Sequence, residues 1–344
     1  MQLENDVKLD YSDVLLRPKR STLESRSEVD VERRFSFPHS HRSVTAVPII
    51  AANMDGVGTV DMMKSMNLQG MLTALNKSYS IEELEDVYRH AFHSNTPMKE
   101  RLCMAVGIQD SDFEKIQTLK SKYPFICIDT PNGYMEKFVN FVKKVRKEVG
   151  VNNIIIAGNV VTADQTQELI LNGADIVKVG IGPGSVCTTR VVTGVGFPQL
   201  SSVMECADAA HGLNGHIVAD GGCTCPGDVV KAFAAGADFV MLGGMLAGHV
   251  EGGGIVEEGT VKFYGMSSET ANRKHAGGLK DYRASEGREV VVPYRGYVAD
   301  TLQEIVGGIR SACTYIGAKQ IKNISKCATF IRVNNQYNKT FTGV

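Results

Sequence analysis

The chain has 344 residues, 43% hydrophobic and 22% charged, with a formal net charge of −1. That is ordinary globular composition, and the even charge balance gives no footing for nucleic acid or for an anionic membrane surface. No apolar run reaches the length of a membrane span, and the opening MQLENDVKLDYSDVLLRPKR has early acids and no apolar signal core, so the expectation is a cytoplasmic protein.

Taken in chain order, the first apolar runs are VPIIAANM (47–54) and MLTALNK (71–77). SIEELEDVYRHAFH (80–93) then predicts a helix with Ser80 as N-cap and Glu83 at the capping-box position. CMAVGI (103–108) and FICIDTP (125–131) follow, and the helix NGYMEKFVNFVKKVRKEVG (132–150) ends on a glycine suited to a C-cap. Next come NIIIAGNV (153–160), the helix TADQTQELILNGA (162–174) and IVKVGIG (176–182). HIVADGG (216–222), the helix CPGDVVKAFAAGA (225–237) and FVMLGGM (239–245) complete the series.

Eight near-continuous apolar runs suit parallel strands covered on both faces. Their starts lie mostly 22–32 residues apart, the usual length of a βα unit. Eight such units predict an α/β fold, a closed (β/α)8 TIM barrel, in preference to an open doubly wound sheet. Two places break the rhythm. The starts of strands six and seven are 40 residues apart, and residues 246–299 form an insertion between strand eight and the last helix, EIVGGIRSACTYIGA (304–318). Both follow strands, so both belong to the face where barrels carry their active sites. No low-complexity linker divides the chain, which reads as a single catalytic domain over 1–344.

Eight cysteines without a signal peptide are no argument for disulfides. CTC (223–225) lacks a second pair at zinc spacing, and no carboxylate or thiol pattern completes the pairs His39/His41 or His90/His93.

Candidate chemistry gathers at the strand ends. DGG (220–222) after strand seven and GGM (243–245) after strand eight suit a phosphate, because glycines let backbone N–H groups approach its oxygens. Asp220 is repelled by phosphate but suits a ribose. GIGPGSVCTTRVVTGVG (180–196) sets Cys187 in a glycine-rich loop. Arg190, three residues on, is expected to favour the thiolate, which is the nucleophile. Thr188 and Thr189 can relay protons, and the carbonyls of Gly182 and Gly184 are free to turn toward a monovalent cation. In the insertion, Arg283, Glu286 and Arg288 read either as a solvated charged loop or as a source of an acid or base near the thiol.

GIGPGSVCTTR, ADGGC, FVMLGGMLAGH, FYGMSSE and YRASEG occur in the order in which the GMP reductases carry them, and the chain resembles that branch of the IMP dehydrogenase/GMP reductase family along its length. MLTALNKSYSIEELEDVY runs from strand straight into helix, where dehydrogenases usually insert a regulatory CBS domain, so none is expected. The resemblance implies reduction of GMP to IMP with NADPH and release of ammonia, through a covalent thioimidate on Cys187, in purine salvage. The alternative is an IMP dehydrogenase lacking its regulatory domain.

By resemblance, Cys187 is the nucleophile and Thr189 and Glu286 move protons. Ser185, Asp220, Gly221, Gly222, Gly243, Gly244, Met266, Ser267, Ser268, Arg283, Ser285 and Gly287 match the positions that hold the nucleotide. Lys77, Asp129, Thr130, Pro131 and the run Ser311, Ala312, Cys313, Thr314 match those for NADPH. Ser25 and Arg26 match positions that reach a neighbouring subunit's cofactor, so a homo-oligomer, a tetramer, is implied. Gly182, Gly184, Cys187 and Arg190 match a potassium loop. The chain departs from the family's usual residues at Thr130-Pro131, at Asn76 and Ser78 beside Lys77, and in a shorter 249–265 stretch.

Overall fold

A computed structural model describes residues 3–92 and 97–334. Eight short, buried strands close on themselves in parallel: β1 (Ile49–Ala51), β2 (Leu72–Leu75), β3 (Leu102–Val106), β4 (Phe125–Asp129), β5 (Ile154–Val160), β6 (Ile176–Val179), β7 (His216–Asp220) and β8 (Phe239–Leu242). Their order around the barrel is their order in the chain, and closure sets Val240, Met241 and Leu242 beside Ile49, Ile50 and Ala51. Seven of the predicted strand runs contain one of these strands, and the remaining one, 103–108, overlaps β3, which starts one residue earlier. The fold is the expected (β/α)8 barrel.

One long helix follows each strand: α1 (Val60–Leu68), α2 (Ile81–Phe92), α3 (Asp110–Leu119), α4 (Glu136–Val149), α5 (Ala163–Leu171), α6 (Gln199–His211), α7 (Pro226–Ala234) and α8 (Val298–Ile316). The capping box before α2 forms as read: Glu83 N–H donates to Ser80 Oγ at 3.2 Å, and Ser80 N–H to Glu83 Oε2 at 2.7 Å. In α4, Phe138, Phe141, Val142, Val145 and Val149 make one buried stripe at helical spacing, and Gly150 ends it at φ +57°.

The last helix corrects the sequence reading. It starts at Val298, six residues before the expected 304, and buries Val298, Leu302, Ile305 and Ile309. Its first amide is satisfied from far away: Val298 N–H donates to Glu251 Oε2 at 3.0 Å. The insertion therefore ends at 297. It holds a three-stranded antiparallel sheet (Val256–Glu257, Thr260–Tyr264, Glu289–Pro293) and a helix, Glu269–Ala276.

The opposite end of the barrel is closed by a hairpin the sequence reading did not include, Arg33–Ser36 paired with Ser43–Ala46. Phe35 stacks on Phe239 with ring centroids 4.2 Å apart, and Phe37 packs edge-on against Phe125 and His216. These partners open β8, β4 and β7, so the aromatic plug covers the strand starts and leaves the strand ends to the site. Beneath it, the Asp238 carboxylate, 1% exposed, takes Arg33 Nη2 at 2.7 Å and His211 Nε2 at 2.8 Å.

Candidate active site

The strand ends surround a pocket of about 260 Å³. From the sequence-derived set it collects Lys77, Asp129, Thr130, Pro131, Gly182, Gly184, Ser185, Cys187, Thr189, Asp220, Gly221, Gly222, Gly243, Gly244, Met266, Ser267 and Glu286. Residues from β4, β6, β7, β8 and the insertion thus meet in one cavity.

At its centre a chain of hydrogen bonds joins two segments. The Cys187 thiol donates to Thr189 Oγ1 at 3.2 Å, and Thr189 Oγ1–H donates to Glu286 Oε2 at 2.8 Å. The backbone holds this register: Thr188 N–H donates to Glu286 O at 2.9 Å and Arg288 N–H to Val186 O at 2.9 Å. These two bonds flank an antiparallel bridge between Cys187 and Gly287. Glu286 is therefore stitched to the cysteine loop, and the solvated-loop reading fails for it, while Arg283 and Arg288 stay exposed. Thr188 takes another course, its hydroxyl donating to Ser285 O at 3.4 Å.

Arg190 does not do what its spacing suggested. Its guanidinium turns away from the thiol, donating from Nη1 to Asp10 Oδ2 at 3.1 Å and from Nη2 to Phe197 O at 2.6 Å. The side chain braces the loop instead: a Cβ at Gly182 would stand 2.5 Å from Arg190 Cγ. The hydrogen-bond chain at Cys187 runs through Thr189 to Glu286, and Arg190 takes no part in it. Cys223, the other thiol in the pocket wall, is pushed well above its ordinary pKa by burial.

Gly221 and Gly222 lie in the pocket wall at φ +87° and +84°, where glycine carries the left-handed backbone without strain and leaves a side-chain-free cradle. Gly244 makes room for a hydroxyl, since a Cβ there would lie 2.8 Å from Ser185 Oγ. The Asp220 carboxylate next to this cradle takes both of its bonds on Oδ2, from Lys178 Nζ at 2.5 Å and Asn159 Nδ2 at 2.9 Å. Lys178 and Asn159 also line the pocket, and the sequence reading missed both. The signal for Lys178 was there: a lysine inside the otherwise apolar strand IVKV.

The insertion is fastened by Asp55, just after β1. Asp55 Oδ2 receives Tyr264 Oη at 2.8 Å, Lys274 Nζ at 3.0 Å and His275 Nε2 at 2.7 Å. Asn76, one of the three departures, donates to Asp55 Oδ1 at 2.5 Å. Burial opposes the charge of this carboxyl, but hydrogen bonds from His275, Tyr264 and Lys274 outweigh it and lower its pKa. The backbone N–H of Asp55 points at Met266 Sδ, 3.3 Å away, in the wall of the pocket.

Other expected residues stay outside the cavity. Ser268 is buried as the N-cap of the insertion helix, Ser285 donates to Gly287 O at 2.9 Å, and Arg283 is exposed. Ser25 and Arg26 form an exposed turn against α8, where Arg310 Nη1 donates to Arg26 O at 3.4 Å. Ser311 to Thr314 lie on α8, and Cys313 is fully buried, its pKa pushed up to about 11 by that burial. Among the described residues no group of three or more His, Cys, Asp or Glu is placed to hold a metal. His39 Nε2 meets Ile170 O at 2.7 Å, and His93 lies outside the described residues. No helix among the described residues is long and apolar enough to cross a membrane.

The model of the IMP dehydrogenase / GMP reductase domain matches residues 8–339. The chain is 57% identical over 347 residues to GMP reductase 2 of Homo sapiens, covering 99% of this chain and 98% of the relative. It is 57% identical over 351 residues to the GMP reductase of Klebsiella pneumoniae, with both chains covered in full. The GMP reductase of Escherichia coli O81 matches to the same extent.

Proposed function

Because the chain belongs to the IMP dehydrogenase/GMP reductase family, we propose that this oxidoreductase converts GMP to IMP with NADPH, releasing ammonia through a covalent intermediate on Cys187. The observation that carries the reading is the run from thiol to hydroxyl to carboxylate, Cys187–Thr189–Glu286, inside a pocket whose rim offers a phosphate cradle. A thiol that loses its proton along this path is a nucleophile beside an acid able to return that proton.

In this mechanism Cys187 Sγ bonds to carbon 2 of the purine while its proton moves to Thr189 and the hydroxyl proton to Glu286. The relay then runs backward and protonates the 2-amino group. The carbon–nitrogen bond breaks, ammonia leaves, and carbon 2 stays bonded to sulfur as a thioimidate. The nicotinamide, when bound, supplies the hydride that takes the amine's place. The carbon–sulfur bond then breaks, sulfur takes back a proton drawn from solvent, and IMP is released.

Ser185, Gly221, Gly222, Gly243 and Gly244 would hold the phosphate, Asp220 the ribose, and Met266 with Ser267 the base. Ser268, Arg283, Ser285 and Gly287 would support the closing segment. Lys77, Asp129, Thr130 and Pro131 fit the cofactor, since they lie across the same cavity from Cys187 and keep a carboxylate and an amine within it. Ser25 and Arg26 lie outside their own chain's pocket, which fits a role at a neighbouring subunit's cofactor in a homo-oligomer, which we take to be a tetramer; Ser311 to Thr314, also read as cofactor residues, line no part of that pocket. Among the described residues no donor takes the carbonyls of Gly182 or Cys187, which supports a potassium ion held there with Gly184 and Arg190. We place the reaction in cytoplasmic purine salvage and assign it to the whole chain as one catalytic unit.

The test is oxidation of NADPH by purified protein with GMP and K⁺, with ammonia measured in parallel. Stoichiometric ammonia and IMP support the reading. No oxidation, with turnover of IMP and NAD⁺ instead, overturns it in favour of a dehydrogenase.

A further inference from the structure

A buried lysine lies across the floor of the pocket. Lys178 is the third residue of β6, and its side chain is 4% exposed. Its ammonium lies 2.9 Å from Asp129 Oδ1 on β4 and 2.5 Å from Asp220 Oδ2 on β7. One cation thus joins carboxylates from two other strands of the barrel, both of which line the cavity. The strand between is shaped around it: a Cβ at Gly158 on β5 would stand 2.5 Å from Lys178 Cβ.

Two carboxylates, each 21% exposed to the pocket, and one ammonium carry a net charge of −1. Without the ammonium, two like charges this close favour sharing a proton. Burial opposes the charge on Lys178, but Asp129 and Asp220 outweigh it and raise its pKa above the ordinary range. Burial likewise opposes the charge of Asp129, and Lys178, with help from Lys77 and Asn53, overcomes it. The other titratable groups facing the cluster are Lys77, Cys127 and Cys223. Cys127 is pushed up to about 12, chiefly by burial, and Cys223, partly buried, is also raised, so of these three Lys77 carries the charge.

We propose that Lys178 is a positioning residue that holds the Asp220 carboxylate for the sugar and the Asp129 carboxylate for the cofactor at the same time. It rests on the proposed reductase reading and adds a coupling to it. Lys178 and Asn159 occupy Oδ2 of Asp220, which leaves Oδ1 to accept from a ribose hydroxyl. Asp129, held by the same ammonium, would present its carboxylate to the cofactor. Displacing either carboxylate loosens the ammonium that also orders the other.

The experiment compares wild type with Lys178→Met and Lys178→Arg in two measurements. In the pH profile of kcat/KM for GMP, Lys178→Met should fall roughly tenfold or more between pH 8 and pH 6 relative to wild type, as the unpaired carboxylates take up a proton. Lys178→Arg should restore the wild-type profile. Infrared difference spectra, read without substrate, should show a protonated carboxyl near neutral pH in Lys178→Met alone, removed by adding Asp129→Asn or Asp220→Asn. A Lys178→Met loss that is equal at every pH, with no protonated carboxyl, overturns the proposal and leaves the lysine a structural role. If wild type turns over no GMP, the reductase reading fails and the infrared result alone decides on the cluster. Should Lys178→Met not fold, Lys178→Gln carries the same two readouts.

Discussion

Thr189 reaches Glu286 across 97 residues of chain, hydroxyl to carboxylate at 2.8 Å. Since the Cys187 thiol donates to the same hydroxyl at 3.2 Å, the threonine has one hydroxyl serving two partners, and removing it separates nucleophile from carboxylate without moving either segment's backbone bonds.

Thr189→Val and Glu286→Gln should each lower kcat by about 10²–10⁴-fold, the usual share of a positioned proton donor or acceptor. The double variant should fall little further, because groups acting in series are not additive. Steady-state NADPH oxidation, with circular dichroism to confirm the fold, checks both. Cys187→Ala should abolish turnover. If the double variant lost the product of the two single effects, the relay would be refuted.

Asp55→Asn should free the insertion. The carboxylate binds Tyr264, Lys274 and His275 at once, and hydrogen bonds to a charged group are worth about 1.5–3 kcal/mol each, less where the partner is exposed, as Lys274 is. The expected result is faster proteolysis between 265 and 288 and a KM for GMP raised about tenfold, with kcat less affected. Because the pKa of Asp55 is lowered on folding, its contribution is present above the unfolded value of about 3.9 and lost as pH falls through the folded value. Acid should therefore release the insertion before it unfolds the barrel.

Asp238 should matter to stability and not to chemistry. Its buried carboxyl is held far below the usual range: burial opposes this, but the hydrogen bond from His211, the His216 ring 3.2 Å away and the charge of Arg33 prevail. Its contribution is present above about pH 3.9 and lost in acid. The raised pKa of His211, due first to its bond with Asp238, acts the other way. That contribution is present below about pH 6.5 and lost as pH rises through the folded value, and it is small because the ring is half exposed. Urea midpoints against pH should be highest between these limits. Asp238→Asn should cost about 3–5 kcal/mol by leaving Arg33 without its buried partner, with KM unchanged.

Phe35→Ala offers the matching apolar test. The ring is buried and stacked on Phe239, so its loss should cost about 3–5 kcal/mol while leaving the turnover of the folded fraction intact. A changed KM for GMP would mean that the two ends of the barrel are coupled.

Much of this was readable from residue order. The eight apolar runs are local signals, and so are the capping box at Ser80 and the stop at Gly150; each formed where the sequence placed it. What escaped was set by distant partners. Helix α8 starts early because Glu251 caps it from 47 residues upstream. Arg190 is turned from the thiol by Asp10, 180 residues away, so its nearness in sequence misled. Lys178 is legible only as a charge in the wrong place until Asp129 and Asp220 close on either side of it.

The separation of Cys187 from Glu286 also has a consequence in time. During synthesis the cysteine loop leaves the ribosome well before the segment that supplies its proton acceptor. The bonds that bring Glu286 to the loop come from backbone near Gly287, which is itself ordered by the insertion fastened at Asp55. The Cys187–Thr189–Glu286 chain of hydrogen bonds is thus assembled last, and an unfinished chain lacks it.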